Sequence, residues 1–80
     1  MTEHKVKSWP EFFNDIADGT KTFDLRKNDR DYQVGDTIVF EEFKPRLGTY
    51  TGELVTCRIG HMLKEFPGLM PGYVILGLTN

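Results

Sequence analysis

Apolar residues near the start of the chain recur at the spacing of an α-helix. Four of them lie at i, i+3, i+4 and i+7, which places them on one helix face. These residues are Trp9, Phe12, Phe13 and Ile16. The preceding Ser8-x-x-Glu11 pattern matches a capping box, and Gly19 is suited to end a helix. The pattern therefore predicts one short helix over residues 9–18, with Trp9 on its core face.

After Gly19 the period of the pattern changes to two, which is typical of β-strands. Phe23 and Leu25 alternate with Asp24 and Arg26. We expect a strand whose two apolar side chains face the core and whose two charged side chains face away from it.

Four other segments have the composition of strands and are separated by turn-forming residues. The predicted strands are residues 4–7, 37–43, 54–59 and 73–78. The predicted connections are a turn at 34–36, a long hairpin connection at 44–52 and a loop at 66–72. In the third of these strands Val55, Cys57 and Ile59 mark the core face. The last strand is apolar enough to be buried on both faces or central to the sheet. One helix and about five strands predict an α+β fold, mainly β, with a strongly curved sheet or partly open barrel.

Composition limits the function classes. Eighty residues, 39% of them hydrophobic, are enough for one folded domain over residues 1–80. The net charge of -2 provides no global attraction to nucleic acid, so such binding requires a local basic patch. A single cysteine, the lack of a membrane-spanning apolar run and a polar N-terminus lead us to expect a cytoplasmic protein. His4 and His61 have no metal-ligand spacing, so we expect neither a metal nor a cofactor.

The stretch from Gly19 to Asp36 holds the densest cluster of charged residues. We interpret Lys21, Asp24 and Arg26 as the centre of a polar cleft, with Arg30 at its rim. Arginine offers a planar fork of donors to a phosphate or a base edge, and lysine offers a point charge. Asp24 would orient the cations or accept from a base. The alternative interpretation is a solvated Asp24–Arg26 ion pair with no role in binding.

A series of motif residues runs through almost the whole chain: Trp9-Pro10, Phe13, Gly19, Lys21, Asp24, Arg26, Asn28-Asp29-Arg30, Tyr32, Gly35-Asp36 and Pro71-Gly72-Tyr73-Val74-Ile75. The order of these residues resembles the ASCH family, a branch of the PUA-like β-barrels, and a small bacterial and phage subgroup of uncharacterised, DUF3850-like domains. The resemblance implies a PUA-like pseudo-barrel with one N-terminal helix, and a cleft that binds RNA or a nucleotide-like ligand.

Three functions follow as expectations. The first is recognition of RNA or a nucleotide-like ligand, without catalysis, by Lys21, Asp24, Arg26 and Arg30. The second rests on the resemblance, since some ASCH relatives are amidohydrolases that deacetylate acetylcytidine with a Lys, a Thr and a Glu. Lys21 matches their lysine, but Asp24 stands where they have threonine. The third is a protein-interaction module of phage or bacterial origin that uses residues 44–52.

Overall fold

The sheet contains every strand of the domain and leaves two edges unpaired. The computed structural model describes residues 1–79. Its elements are β1 (Glu3–Ser8), α1 (Pro10–Ala17), β2 (Phe23–Lys27), β3 (Thr37–Lys44), β4 (Thr49–Lys64) and β5 (Tyr73–Thr79). The strand order is β1-β3-β4-β5-β2, with β1 parallel to β3 and the other neighbours antiparallel. The sheet curls into a half-barrel, which confirms the predicted curved, mainly β fold with one helix.

The curl depends on the long strand β4. Its first part pairs with β3 and its last part with β5, and the register shifts between Ile59 and His61. Such a bulge bends a strand and increases its twist. Gly60 lies at this shift, and a Cβ atom there would come within 2.9 Å of Thr79 Cγ2. Glycine therefore permits the close approach of β4 and β5 at the bend. The alternation of residues 54–59 predicted only part of this strand. The bulge interrupts the period after Ile59, and the start of the strand was predicted as part of the hairpin connection.

The core lies between the concave side of the sheet and α1, which packs against β3 and β4. It consists of Val6, Phe13, Ile16, Tyr32, Ile38, Phe40, Cys57, Ile59, Val74 and Leu76. The predicted core face of β4 is confirmed, since Cys57 and Ile59 are buried and Val55 packs against them. Burial raises the pKa of the Cys57 thiol. The predicted central position of the last strand is also confirmed, because β5 pairs on both sides.

Two local predictions were wrong. Ser8 ends β1 instead of capping the helix, and Trp9 is the N-cap without a side-chain hydrogen bond. The hairpin connection is also shorter than predicted, because β3 extends to Lys44 and β4 begins at Thr49. Tyr50 therefore lies in a strand, where its ring packs edge-on against Phe43 at a centroid distance of 5.0 Å. Glycine ends the helix as predicted, with Gly19 at φ +85°.

A buried carboxylate ties the N-terminal segment to the turn before β3. Asp36 accepts hydrogen bonds from the backbone N–H groups of Thr2 (3.2 Å) and Gln33 (3.1 Å). His4 Nε2 lies 2.8 Å from Asp36 Oδ2, and both side chains are buried. The hydrogen bond from His4, followed by those from the two backbone groups, lowers the pKa of Asp36 below its usual range.

This lowered pKa predicts a specific loss of stability in acid. The pKa of an aspartate in the unfolded chain is about 4. When the pKa in the folded protein is lower, the ionised carboxylate stabilises the fold at pH values above about 4, and this stabilisation is lost as the pH falls through the folded pKa. We expect Asp36→Asn to be less stable than the wild type at pH 7, and the difference to shrink below about pH 4. Urea unfolding midpoints of both proteins at pH 7, 5 and 3 measure this difference in stability. A difference that stays constant over this range would contradict the assignment to Asp36.

Within residues 1–79 the structure contains no helix with the length and apolar character that crossing a membrane demands.

Candidate ligand-binding cleft at the seam of the half-barrel

The two edge strands approach each other where the half-barrel stays unclosed. Arg26 on β2 donates from Nη2 to the backbone carbonyl of Lys7 on β1, at 2.9 Å. β1 and β2 are not neighbours in the strand order, so a side chain bridges them where backbone pairing does not. We call the gap between β1 and β2 at this bridge the seam. A free strand edge leaves backbone carbonyl groups without hydrogen-bond partners. Here the Lys7 carbonyl accepts a hydrogen bond from the Arg26 guanidinium.

Three of the four predicted site residues meet at the seam. Asp24 is buried; its Oδ2 accepts from Arg26 Nε, and its Oδ1 lies 3.4 Å from Lys21 Nζ. Asp24 and Arg26 are two positions apart on β2 and therefore share a face. Lys21 is held beside them by its backbone N–H, which donates to the Asp15 carbonyl at the end of α1 (2.9 Å). One carboxylate thus orients two cations.

The two faces of β2 are the reverse of the prediction. Asp24 faces inward, whereas Phe23 is 52% exposed and Leu25 is 56% exposed. Alternation identifies two faces of a strand but does not decide which one points into the protein. The charged face turns inward because Asp24, Arg26 and Lys21 satisfy one another, so the buried charge has partners. The apolar face is left beside the seam.

Aromatic side chains surround this ion cluster and form an open cleft of about 590 Å³. Trp9, Phe12 and Phe23 line it, and each is about half exposed. The ammonium of Lys21 lies 4.9 Å from the ring centroid of Phe12 and 5.6 Å from that of Phe23. The placement of Trp9 in the core was therefore wrong. The cleft combines cations with exposed aromatic faces, and we call it the seam cleft.

Sequence reasoning missed these aromatic residues as site candidates. The eight-residue helix buries only Phe13 and Ile16, so Trp9 and Phe12 extend beyond the buried side. The sequence did contain a signal that some of these side chains would be exposed, namely a wide apolar stripe on a short helix. Two helical turns cannot bury four large side chains against one sheet. Exposed apolar groups that cluster beside charged ones often mark a binding surface.

Arg30 lies outside the ion cluster, in a neighbouring depression. It lines a space of about 290 Å³ together with Arg26 and Tyr32. The loop that carries Arg30 is held by Asn28, whose Oδ1 accepts from the Tyr32 N–H at 3.1 Å. Burial raises the pKa of Tyr32, so this side chain remains a neutral phenol at neutral pH. Arg30 thus lies beside the seam cleft and does not line it.

Arg26 retains free donors after its two structural contacts. A guanidinium has five N–H groups, and the hydrogen bonds to Asp24 and Lys7 use two of them. Within residues 1–79 the other three have no protein acceptor among the hydrogen bonds of the side chain, which is one quarter exposed. A guanidinium fixed by a carboxylate loses little freedom when it binds a phosphate or a base edge. The arrangement therefore suits recognition of an anion or a polar ring edge.

No three His, Cys, Asp or Glu side chains of residues 1–79 come together as a group able to hold a metal ion.

Comparison with known proteins identifies the family. Residues 3–78 match the family described as "Domain of unknown function (DUF3850)". The chain is also 38% identical over 73 residues to an "Uncharacterized 12.9 kDa protein in GpA 3'region" of Escherichia phage P2. This alignment covers 91% of the chain but 64% of the relative, so the chain spans about two thirds of that protein. The match over nearly every residue of the half-barrel shows that the chain belongs to the DUF3850 family.

Proposed function

We propose that this domain binds RNA or a nucleotide-like ligand in the seam cleft and acts by recognition, without catalysis. The observation that carries the proposal is the ring of half-exposed aromatic side chains around an oriented pair of cations. Nucleic-acid bases stack on aromatic faces, and phosphates pair with lysine and arginine. A structural ion pair alone would not account for exposed rings of Trp9, Phe12 and Phe23 beside it.

Each polar residue has a distinct role in this proposal. Arg26 uses its remaining donors on a phosphate or a base edge, and Lys21 supplies a point charge. Asp24 holds both cations in place, since its oxygens already face them and its side chain is 9% exposed. It therefore acts as an orienting group for the cations, and base reading falls to Arg26. Arg30 assists from the rim.

We further propose that the DUF3850 family is a branch related to the ASCH and PUA-like domains, in line with the motif from Gly19 to Asp36. The contacts of Lys21 favour binding over the amidohydrolase chemistry of some ASCH relatives. The Lys21 side chain is engaged by the Asp24 carboxylate and by two aromatic rings, contacts typical of a cation held for electrostatic recognition. Asp24 stands where the ASCH amidohydrolases have threonine, and its carboxylate is engaged by Lys21 and Arg26.

The proposal is tested by fluorescence-anisotropy titration of the wild type. The probes are single-stranded RNA, structured RNA and duplex DNA, each at low and at physiological salt. We expect RNA binding that persists at physiological salt and weak binding of duplex DNA, whose base faces are stacked inside the helix. Absence of binding to every probe would overturn the proposal. Turnover of acetylcytidine that disappears in Lys21→Ala would replace it with the amidohydrolase function.

Two lysine substitutions, one inside the seam cleft and one outside it, measure the electrostatic contribution to binding. We expect Lys21→Ala to weaken RNA binding and to lower the slope of log affinity against log salt by about 0.7, the value for one phosphate contact on a single strand. Lys64→Ala removes the same charge from an exposed position on β4 that does not line the seam cleft. It should leave affinity and slope near those of the wild type. Equal effects of the two substitutions would mean that only overall charge matters.

A further inference from the structure

We propose that the seam cleft is the middle of a continuous track for a single-stranded nucleic acid longer than one nucleotide. This inference rests on the proposed function and specifies the ligand. It concerns two other depressions on the surface, which adjoin the seam cleft on different sides.

Shared lining residues show that the three depressions adjoin one another. Trp9 lines both the seam cleft and a depression of about 690 Å³ between the start of α1 and the β3–β4 turn, which we call the outer depression. Leu25 and Arg26 line both the seam cleft and the depression of about 290 Å³ that contains Arg30. We call the latter the inner depression. The seam cleft therefore borders the outer depression at Trp9 and the inner depression at Leu25 and Arg26.

Charge is concentrated along this track. Seven of the ten lysine and arginine residues line the three depressions, and only Lys5, Arg58 and Lys64 lie elsewhere. Three acidic residues line them, namely Glu11, Asp24 and Asp29. The lining therefore carries a net charge of +4 on a chain whose total is -2. This is the local basic patch that an acidic protein needs to attract a polyanion.

Cations lie beside exposed apolar side chains in both the outer depression and the seam cleft. The outer depression presents Lys44 and Arg46 beside the exposed side chain of Leu47 and the ring of Trp9. The inner depression presents Lys27 and Arg30, which add charge beyond Arg26. Single strands are bound by this combination, because the backbone follows the cations while unstacked bases contact aromatic and apolar faces. A duplex hides its base faces and would leave the rings of the track unused.

Binding as a function of ligand length tests the track. The probes are a mononucleotide, a trinucleotide and a hexanucleotide of one base, in ribose and deoxyribose forms, titrated against the wild-type domain. We expect the hexanucleotide to bind at least about tenfold more tightly than the mononucleotide, because additional phosphates reach the outer and inner depressions. The two sugar forms separate an RNA ligand from a single-stranded DNA ligand, and preference for either supports the track.

Two arginine variants test whether the hexanucleotide contacts the outer depression. Arg46→Ala, in the outer depression, should weaken hexanucleotide binding, lower its salt slope by about 0.7 and leave mononucleotide binding unchanged. Arg58→Ala, outside the three depressions, is the matched control and should change neither. Equal affinity for mononucleotide and hexanucleotide, with no effect of Arg46→Ala, would overturn the track while the proposed function stands. No binding of any length would overturn both.

Discussion

Replacement of Arg26 by alanine is expected to abolish measurable RNA binding. The side chain lines the seam cleft, and three of its N–H groups have no acceptor among residues 1–79. Charge-assisted hydrogen bonds contribute about 1.5–3 kcal/mol each. Loss of even one such bond corresponds to a decrease in affinity of roughly 10- to 100-fold. The substitution also removes the guanidinium that donates to the Asp24 carboxylate and, across the seam, to the Lys7 carbonyl. Fluorescence anisotropy with single-stranded RNA at physiological salt measures the effect.

Two further variants separate binding from folding. Arg26 covers the buried ring of Phe40 at 5.8 Å and bridges the sheet edges, so its removal also affects stability. Arg26→Lys keeps the charge beside Asp24, but one ammonium lacks the planar fork that reaches the ligand and both structural partners. We expect this variant to fold, as judged by circular dichroism, and still to bind RNA more weakly than the wild type. Unchanged affinity in a folded Arg26→Ala protein would contradict the site assignment.

Replacement of Tyr32 by alanine is expected to be the most destabilising change in the loop before β3. Tyr32 is 1% exposed and its ring centroid lies 4.6 Å from that of His4. Deletion of a buried aromatic side chain costs about 3–5 kcal/mol, a large part of the stability of a domain of this size. Urea unfolding followed by circular dichroism gives the change in the free energy of unfolding.

The same substitution at an exposed tyrosine provides the control. Tyr50 is 52% exposed on β4, and Tyr50→Ala should cost much less than Tyr32→Ala. Tyr32→Phe preserves the ring and should lose less than about 1.5 kcal/mol, as volume-conserving changes usually do. A loss below about 1 kcal/mol in Tyr32→Ala would show that the ring is not an essential part of the core.

Three residues of the predicted site lie together in the structure, whereas their role in binding stays a prediction. Lys21, Asp24 and Arg26 do meet, because residues two apart on a strand share a face and Gly19 returns the chain from α1 toward β2. The contact of Arg26 with the Lys7 carbonyl depends on how far the sheet curls. Nothing in the local pattern around β1 indicates which strand will lie opposite its free edge.

The pattern of the chain by itself determined the single helix, most of the strand positions, the turn at Gly35-Asp36 and the core face of β4. These depend on local periodicity and on backbone conformations that the nearby residues favour. The tertiary structure decided that Asp24 faces inward and that Phe23 and Trp9 face the cleft, because two strands remote in sequence meet at the seam. It also placed Tyr32 in the core and paired His4 with Asp36. Contacts between distant segments set these outcomes, because a local period shows that a segment has two faces but not what each face will meet.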